Sequence, residues 1–145
     1  MSKRFQKTPT EKFDRPFVGE WISQGFDRAT ISFAEDFGKW LADNNLSSAQ
    51  IRNIFGEVKR MEGKRPENNE DYAQFKKDFL LLKPKIAYAA KRSGSRGIED
   101  FKVVMDKAHE AVDISGDKET SWKHFQNFLD FFESVLAYHK AYGGN

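Results

Sequence analysis

The segment between Asp78 and Glu99, FLLLKPKIAYAAKRSGSRGI, contains no carboxylate but carries Lys83, Lys85, Lys91, Arg92 and Arg96. The chain as a whole has a formal net charge of only +2, so this run of uncompensated cations on an apolar, helix-like stretch is suited to holding an anion. Phosphate is the natural one. Lys85 and Arg92 are seven residues apart, nearly two helical turns, and project along one edge about 10 Å apart. Arg52 and Lys59 repeat that spacing upstream, with Arg60 beside them and Glu57 and Glu62 near enough in sequence to neutralise some of the charge. Cations strung along helix edges contact backbone phosphates and carry no base identity, so the chemistry they offer is binding of RNA or DNA without sequence preference. Gly56 lies between Arg52 and Lys59. It costs about 1 kcal/mol in a helix interior and is expected to admit another backbone, from a helix or a nucleic acid. The plainer reading of both edges is that they are solvated faces of ordinary helices.

Catalytic constellations are missing. His109, His124 and His139 are the only histidines, and none has the i, i+4 partner of a zinc-protease helix. Each reads as a surface or core-edge histidine, with a routine His109–Asp113 helix contact available. Asp113, Ser115, Asp117 and Glu119 resemble a calcium loop only briefly. Gly116 comes before the third ligand position, and His124 stands where the twelfth-position acid belongs. Asp117 or Ser115 reads better as a helix cap. Glu99 and Asp100 are sequence neighbours on different sides of a helix, and acids in a first turn complement its dipole. Gly94 and Gly97 are followed by no Walker lysine, so SGSRG reads as a chain reversal. No enzyme activity, metal or cofactor is expected.

The elements that position these cations are helical throughout. The chain of 145 residues fits one domain, and 14 phenylalanines provide a core that needs no staples. It contains no cysteine, which removes disulfides and thiolate chemistry and agrees with a cytoplasmic setting. No run approaches the roughly 20 apolar residues of a membrane span. Residues 1–18 read as a flexible basic arm and 19–145 as the helical domain.

Asp27 is expected to cap a helix carrying Phe33, Phe37, Trp40 and Leu41 and ending near Asn44 and Asn45. Ser47 and Gln50 have capping-box spacing ahead of Ile51, Ile54, Phe55 and Val58. After a GKRPENNED linker, Tyr72, Phe75, Phe79 and Leu82 form a helix that Pro84 should end or kink. Ile86, Ala89 and Ala90 continue apolar to the SGSRG break. Ile98, Phe101, Val104, Met105, Ala108 and Val112 mark a fourth helix, stopped by Gly116. A last helix from about Glu119 carries Trp122, Phe125, Phe128, Leu129, Phe131, Phe132, Val135 and Leu136 on more than one face. It should therefore be central, or be covered by another chain. With no strand pattern anywhere, the expectation is an all-α, single-domain bundle of about five helices.

The strings SSAQIRNIFGEVKRM, FLLLKPKIAYAAKR and FFESVLAYHKAYGG, in this order and with WISQGFD near the start, resemble the small subunit of type III-A CRISPR effector complexes, the Csm complexes. The resemblance spans roughly residues 20 to 145. It implies an all-helical, non-catalytic protein of antiviral defence whose copies stack along the ribonucleoprotein and help hold guide RNA and target RNA through phosphates. Other Csm subunits and further copies of the chain are the implied partners, with cleavage belonging to those other subunits. Carried to this sequence, the implied RNA contacts are Arg52, Lys59 and Arg60 from the first string and Lys83, Lys85, Lys91 and Arg92 from the second. The alternative is a helical scaffold whose basic edges bind acidic partner subunits.

Overall fold

The computed structural model describes residues 17–93 and 96–144, and among these all regular structure is helical, in six helices. In chain order they are α1 (Phe17–Gln24), α2 (Arg28–Asp43), α3 (Ser48–Glu62), α4 (Asn69–Ser93), α5 (Arg96–Glu110) and α6 (Lys118–Ala141). The all-α expectation holds, with one helix more than the five anticipated. The addition is α1, a helix of eight residues that buries Val18, Trp21 and Ile22 against the rest of the chain. Residues 1–16 of the expected arm lie outside the described residues, and Phe17 and Val18 already belong to α1.

The caps follow local chemistry. Asp27 accepts a hydrogen bond from the Thr30 N–H at 3.0 Å, and the Asp27 N–H donates back to the Thr30 hydroxyl at 3.1 Å, a complete capping box for α2. Asn45 ends that helix in a left-handed conformation, φ 69°, which asparagine tolerates better than most side chains. α3 starts at Ser48; the side chain of Gln50, half of the expected capping box, lies outside the described residues. Asn68 accepts from the Asp71 N–H at 2.8 Å ahead of α4, and Asp117 accepts from the Thr120 N–H at 2.8 Å ahead of α6.

Pro84 does not end its helix, one of the two outcomes expected of it: α4 continues through it for 25 residues. A proline inside a helix removes one hydrogen bond and crowds the carbonyl four residues back, at a cost of about 3 kcal/mol. Here that defect faces solvent, since Pro84 and Leu80 are exposed, while Phe75, Phe79, Leu82, Ile86 and Ala90 form a buried stripe on both sides of it. Burial of five side chains outweighs one lost bond. Val112, expected in the fourth helix, is buried just beyond the end of α5.

α6 is central, the first of the two placements its doubly apolar pattern allowed. It packs against α1, α2, α3 and α5, and its Phe125, Phe128, Phe131 and Phe132 are fully buried within the chain. Phe131 meets Trp21 and Phe33 on one side, Phe125 meets Phe75 at 5.1 Å, and Phe132 meets Phe55 and Phe101 at 5.2 and 5.3 Å. Gly38 makes the α2–α6 crossing possible: a Cβ there would lie 2.7 Å from Tyr138 Cβ and 2.8 Å from the His139 nitrogen. The C-terminal turn is tied back to α2, where the Tyr142 hydroxyl donates to Glu35 and the Lys39 ammonium lies over the Tyr142 ring.

Two histidines depart from the surface or core-edge placement. His109 is buried, stacked parallel on Phe79 at 4.0 Å, and its Nε2 donates to the Phe79 carbonyl at 2.7 Å, so the spacing-allowed contact with Asp113 gives way to a bond across helices. His139 is fully buried, with Nε2 donating to the Leu46 carbonyl. Both rings replace an apolar residue's volume while satisfying a carbonyl at a helix–helix or helix–loop contact, which a sequence pattern does not distinguish from a surface site.

Candidate nucleic-acid interface

The cations divide among several faces. α3 and α4 run antiparallel, so that Lys85 of α4 reaches Glu57 of α3 at 3.3 Å. Between the two helices lies an open groove of about 750 Å³, walled by Ala49, Asn53 and Ile54 on α3 and floored on the α4 side by Leu81, Pro84 and Ala89. Lys85, Tyr88 and Arg92 stand along its α4 edge, and the Arg92 guanidinium lies 5.7 Å from the centre of the Tyr88 ring. Lys91 and Arg52 are exposed and make no ion pair among the described residues.

The remaining three cations face elsewhere. Lys83 leaves the groove and pairs with Glu110 of α5 at 2.5 Å. Lys59 pairs with Glu62 at 3.1 Å on the side of α3 that faces Asp130 and Glu133 of α6, and those acids together push its ammonium pKa upward. Arg60 pairs with Glu57 at 2.5 Å. Thus Lys85 and Arg92 share one surface as their spacing implied, whereas Arg52 and Lys59 lie along a helix edge whose far end is acidic.

The acid-free run is not uncompensated in three dimensions. Its missing carboxylates come from other helices: Glu57 for Lys85 and Glu110 for Lys83. Burial pushes the Glu57 carboxyl up, but the Lys85 hydrogen bond and charge, with Arg60 adding to them, hold it net below the usual carboxylate range. The Lys83 hydrogen bond does the same for Glu110. Both pairs lie at the surface, with Glu57 half-buried, and surface ion pairs contribute only about 0–1 kcal/mol, so the lysines remain available to a stronger anion. A Cβ at Gly56 would meet nothing within 4 Å among the described residues, so none of them uses the close approach that glycine permits.

The acids considered for chemistry serve structure. Asp100 is buried and accepts from the Trp40 indole N–H at 3.2 Å; burial raises its carboxyl pKa. Asp113 accepts from the Ser115 N–H and hydroxyl, and Asp117 caps α6. Among the described residues no group of three or more histidine, cysteine or acidic side chains could hold a metal ion. No described helix is long and apolar enough to cross a membrane.

Sequence reasoning missed Tyr88 and Asn53 as groove residues, and Glu57 as the acid shared across the groove. The i, i+4 spacing of Tyr88 and Arg92 was the available signal for the first. No curated protein and no solved structure matches the chain. A model of the Csm2 family, type III-A, matches residues 27–145, which covers the three resembling strings and leaves most of WISQGFD outside. The chain belongs to the Csm2 family, the small subunit of the type III-A Csm complex.

Proposed function

We propose that this subunit acts without catalysis of its own, holding the guide and target RNA of the type III-A effector through backbone phosphates and stacking with further copies of itself and with other Csm subunits in antiviral defence. Family membership supports the assembly, and the groove edge formed by Lys85 and Arg92 is the observation that carries the RNA contact. Both side chains are exposed on one helix edge, and Arg52 and Lys91 add cations that have no acid partner among the described residues. Lys59, Lys83 and Arg60 contribute only by exchanging an exposed glutamate for a phosphate. The cytoplasm, where guide RNA is held, is the compartment this reading requires.

The test is the double substitution Lys85→Ala, Arg92→Ala, measured for RNA retention in the assembled complex across a salt series. Two phosphate contacts on single-stranded RNA predict that the slope of log K against log salt becomes shallower by about 1.4. Helicity should not change, because neither side chain is buried. Wild-type RNA retention by the double variant at moderate salt would reject this edge. Salt-sensitive binding to a purified acidic partner subunit, with none to RNA, would favour the scaffold alternative.

A further inference from the structure

Tyr88 is 64% exposed, the most exposed of the large apolar side chains on the described surface. An aromatic ring left in water on a stable helix loses burial that a polar residue would not forgo. Its position is specific. It stands at the edge of the α3–α4 groove, with the Arg92 guanidinium 5.7 Å over its ring and the apolar Ile54, Leu81, Pro84 and Ala89 lining the space beside it. The groove volume, about 750 Å³, is in the range of sites that enclose a small planar ligand. The side-chain amide of Asn53, on the opposite wall, makes no hydrogen bond among the described residues, and neither does the Tyr88 hydroxyl.

From this placement we infer that the groove seats an unpaired nucleobase of single-stranded RNA, stacked on Tyr88, with Lys85 and Arg92 on its flanking phosphates and the Asn53 amide at its edge. The inference rests on the RNA reading above and adds to it a contact with bases. Charge complementarity selects the occupant: Glu57, the one acid in the groove, is already held by Lys85 and Arg60 at one end, while the other end is bounded by Arg92. An aromatic face, a free amide and paired cations suit a planar heterocycle carried on a polyanion. A base already stacked inside a duplex has no face to offer, so the site discriminates by pairing state. Every base has such a face, so stacking brings little preference among the four. Arg92 holds the ring through its cation–π contact and so organises the platform before the base arrives.

The experiment uses the full chain with single-stranded RNA oligonucleotides containing 2-aminopurine, whose fluorescence is quenched by stacking. Tyr88→Ala should weaken binding roughly tenfold, in line with base–aromatic stacking in single-strand binders, and should abolish the quenching. Its salt slope should match wild type, because no phosphate contact is lost. Tyr88→Phe should retain affinity and quenching, which a hydroxyl-dependent or merely structural role would not allow. The Lys85→Ala, Arg92→Ala variant should instead flatten the salt slope. Wild-type affinity and quenching in Tyr88→Ala, with the double variant still flattening the slope, would overturn the base platform and leave the phosphate reading standing. Absence of RNA binding by the wild-type chain would overturn both. Loss of a Csm partner subunit in Tyr88→Ala, with RNA binding unchanged, would assign the ring to a protein contact and overturn the inference.

Discussion

Gly38 and Gly56 both sit in helix interiors, yet the structure predicts opposite consequences for alanine at the two positions. At Gly38 a Cβ would lie 2.7 Å from Tyr138 Cβ and 2.8 Å from both the His139 nitrogen and the Val135 carbonyl oxygen. Two of those three atoms are backbone of α6, so no side-chain rotation relieves the overlap; α2 and α6 must separate by roughly 1 Å to reach ordinary contact. Overpacking of this kind costs about 1–3 kcal/mol, and contacts with unyielding backbone put Gly38 in the upper half of that range; less a helix-propensity gain of about 1 kcal/mol, Gly38→Ala is destabilised by about 1–2 kcal/mol. At Gly56 nothing lies within 4 Å, so only the propensity term remains, and Gly56→Ala gains about 0.5–1 kcal/mol. At roughly 3–4 °C per kcal/mol for a chain of this size, Tm should fall by about 5 °C in the first variant and rise by about 3 °C in the second. Thermal and urea unfolding followed by helical circular dichroism measures both. A Gly38→Ala protein as stable as wild type would show that the α2–α6 crossing has slack that the close contacts deny. The stabilised Gly56→Ala protein serves a second purpose: if the glycine admits an external backbone, its RNA or partner binding should weaken. Unchanged binding would remove close approach as the reason for that glycine.

Three further outcomes are expected. Phe132→Ala empties a fully buried site shared by Phe55, Phe101 and Phe128 and should cost about 3–5 kcal/mol in urea unfolding. Burial holds the His109 ring below its usual pKa, with nearby Lys83 acting the same way and the Phe79 carbonyl, Asp106 and Glu110 opposing. The unfolded chain therefore takes up the proton first, and stability should be constant above the ordinary histidine pKa of about 6.5 and fall as pH drops below it. His109→Gln should flatten that fall between about pH 7 and 5.5, and an unchanged pH profile would refute it. Glu57→Gln removes the acid in the groove and should strengthen single-stranded RNA binding about two- to fivefold at low salt, with the gain vanishing at high salt.

Much of the fold was legible because the apolar residues recur at helical spacing. Asp27 and Asp117 supply caps that any reader of the sequence can find, and the two apolar faces of α6 called for either a central position or cover by another chain. Pro84 misled because the rule for proline is local, whereas the burial that carries α4 past it is contributed by helices distant in sequence. α1 escaped because eight residues are too few to display a period, and its helix is held by packing more than by its own propensity. The site was legible only in part. Lys85 and Arg92 share an edge because seven residues on one helix must do so. The separation of Lys83 and Lys59 from that edge depends on Glu110, Glu133 and Asp130, which no spacing along the helix reveals.

Neutralising acids across the groove do not argue against an anion-binding surface; their geometry makes exchange cheap. Glu57 faces two cations, Lys85 at 3.3 Å and Arg60 at 2.5 Å. When a phosphate takes Lys85, Glu57 keeps Arg60, so no carboxylate is left without a partner and the lost contact is an exposed pair of at most about 1 kcal/mol. Lys83 has no such arrangement: Glu110 makes no second ion pair among the described residues, and transferring Lys83 to a phosphate would leave that acid alone on the same face. Repulsion between Glu110 and the incoming phosphate then opposes the exchange. The acid-free run is therefore divided by the acids that surround it: Lys85 and Arg92 are the readier cations for the proposed nucleic acid, and Lys83 exchanges its acid less readily because Glu110 holds it between α4 and α5.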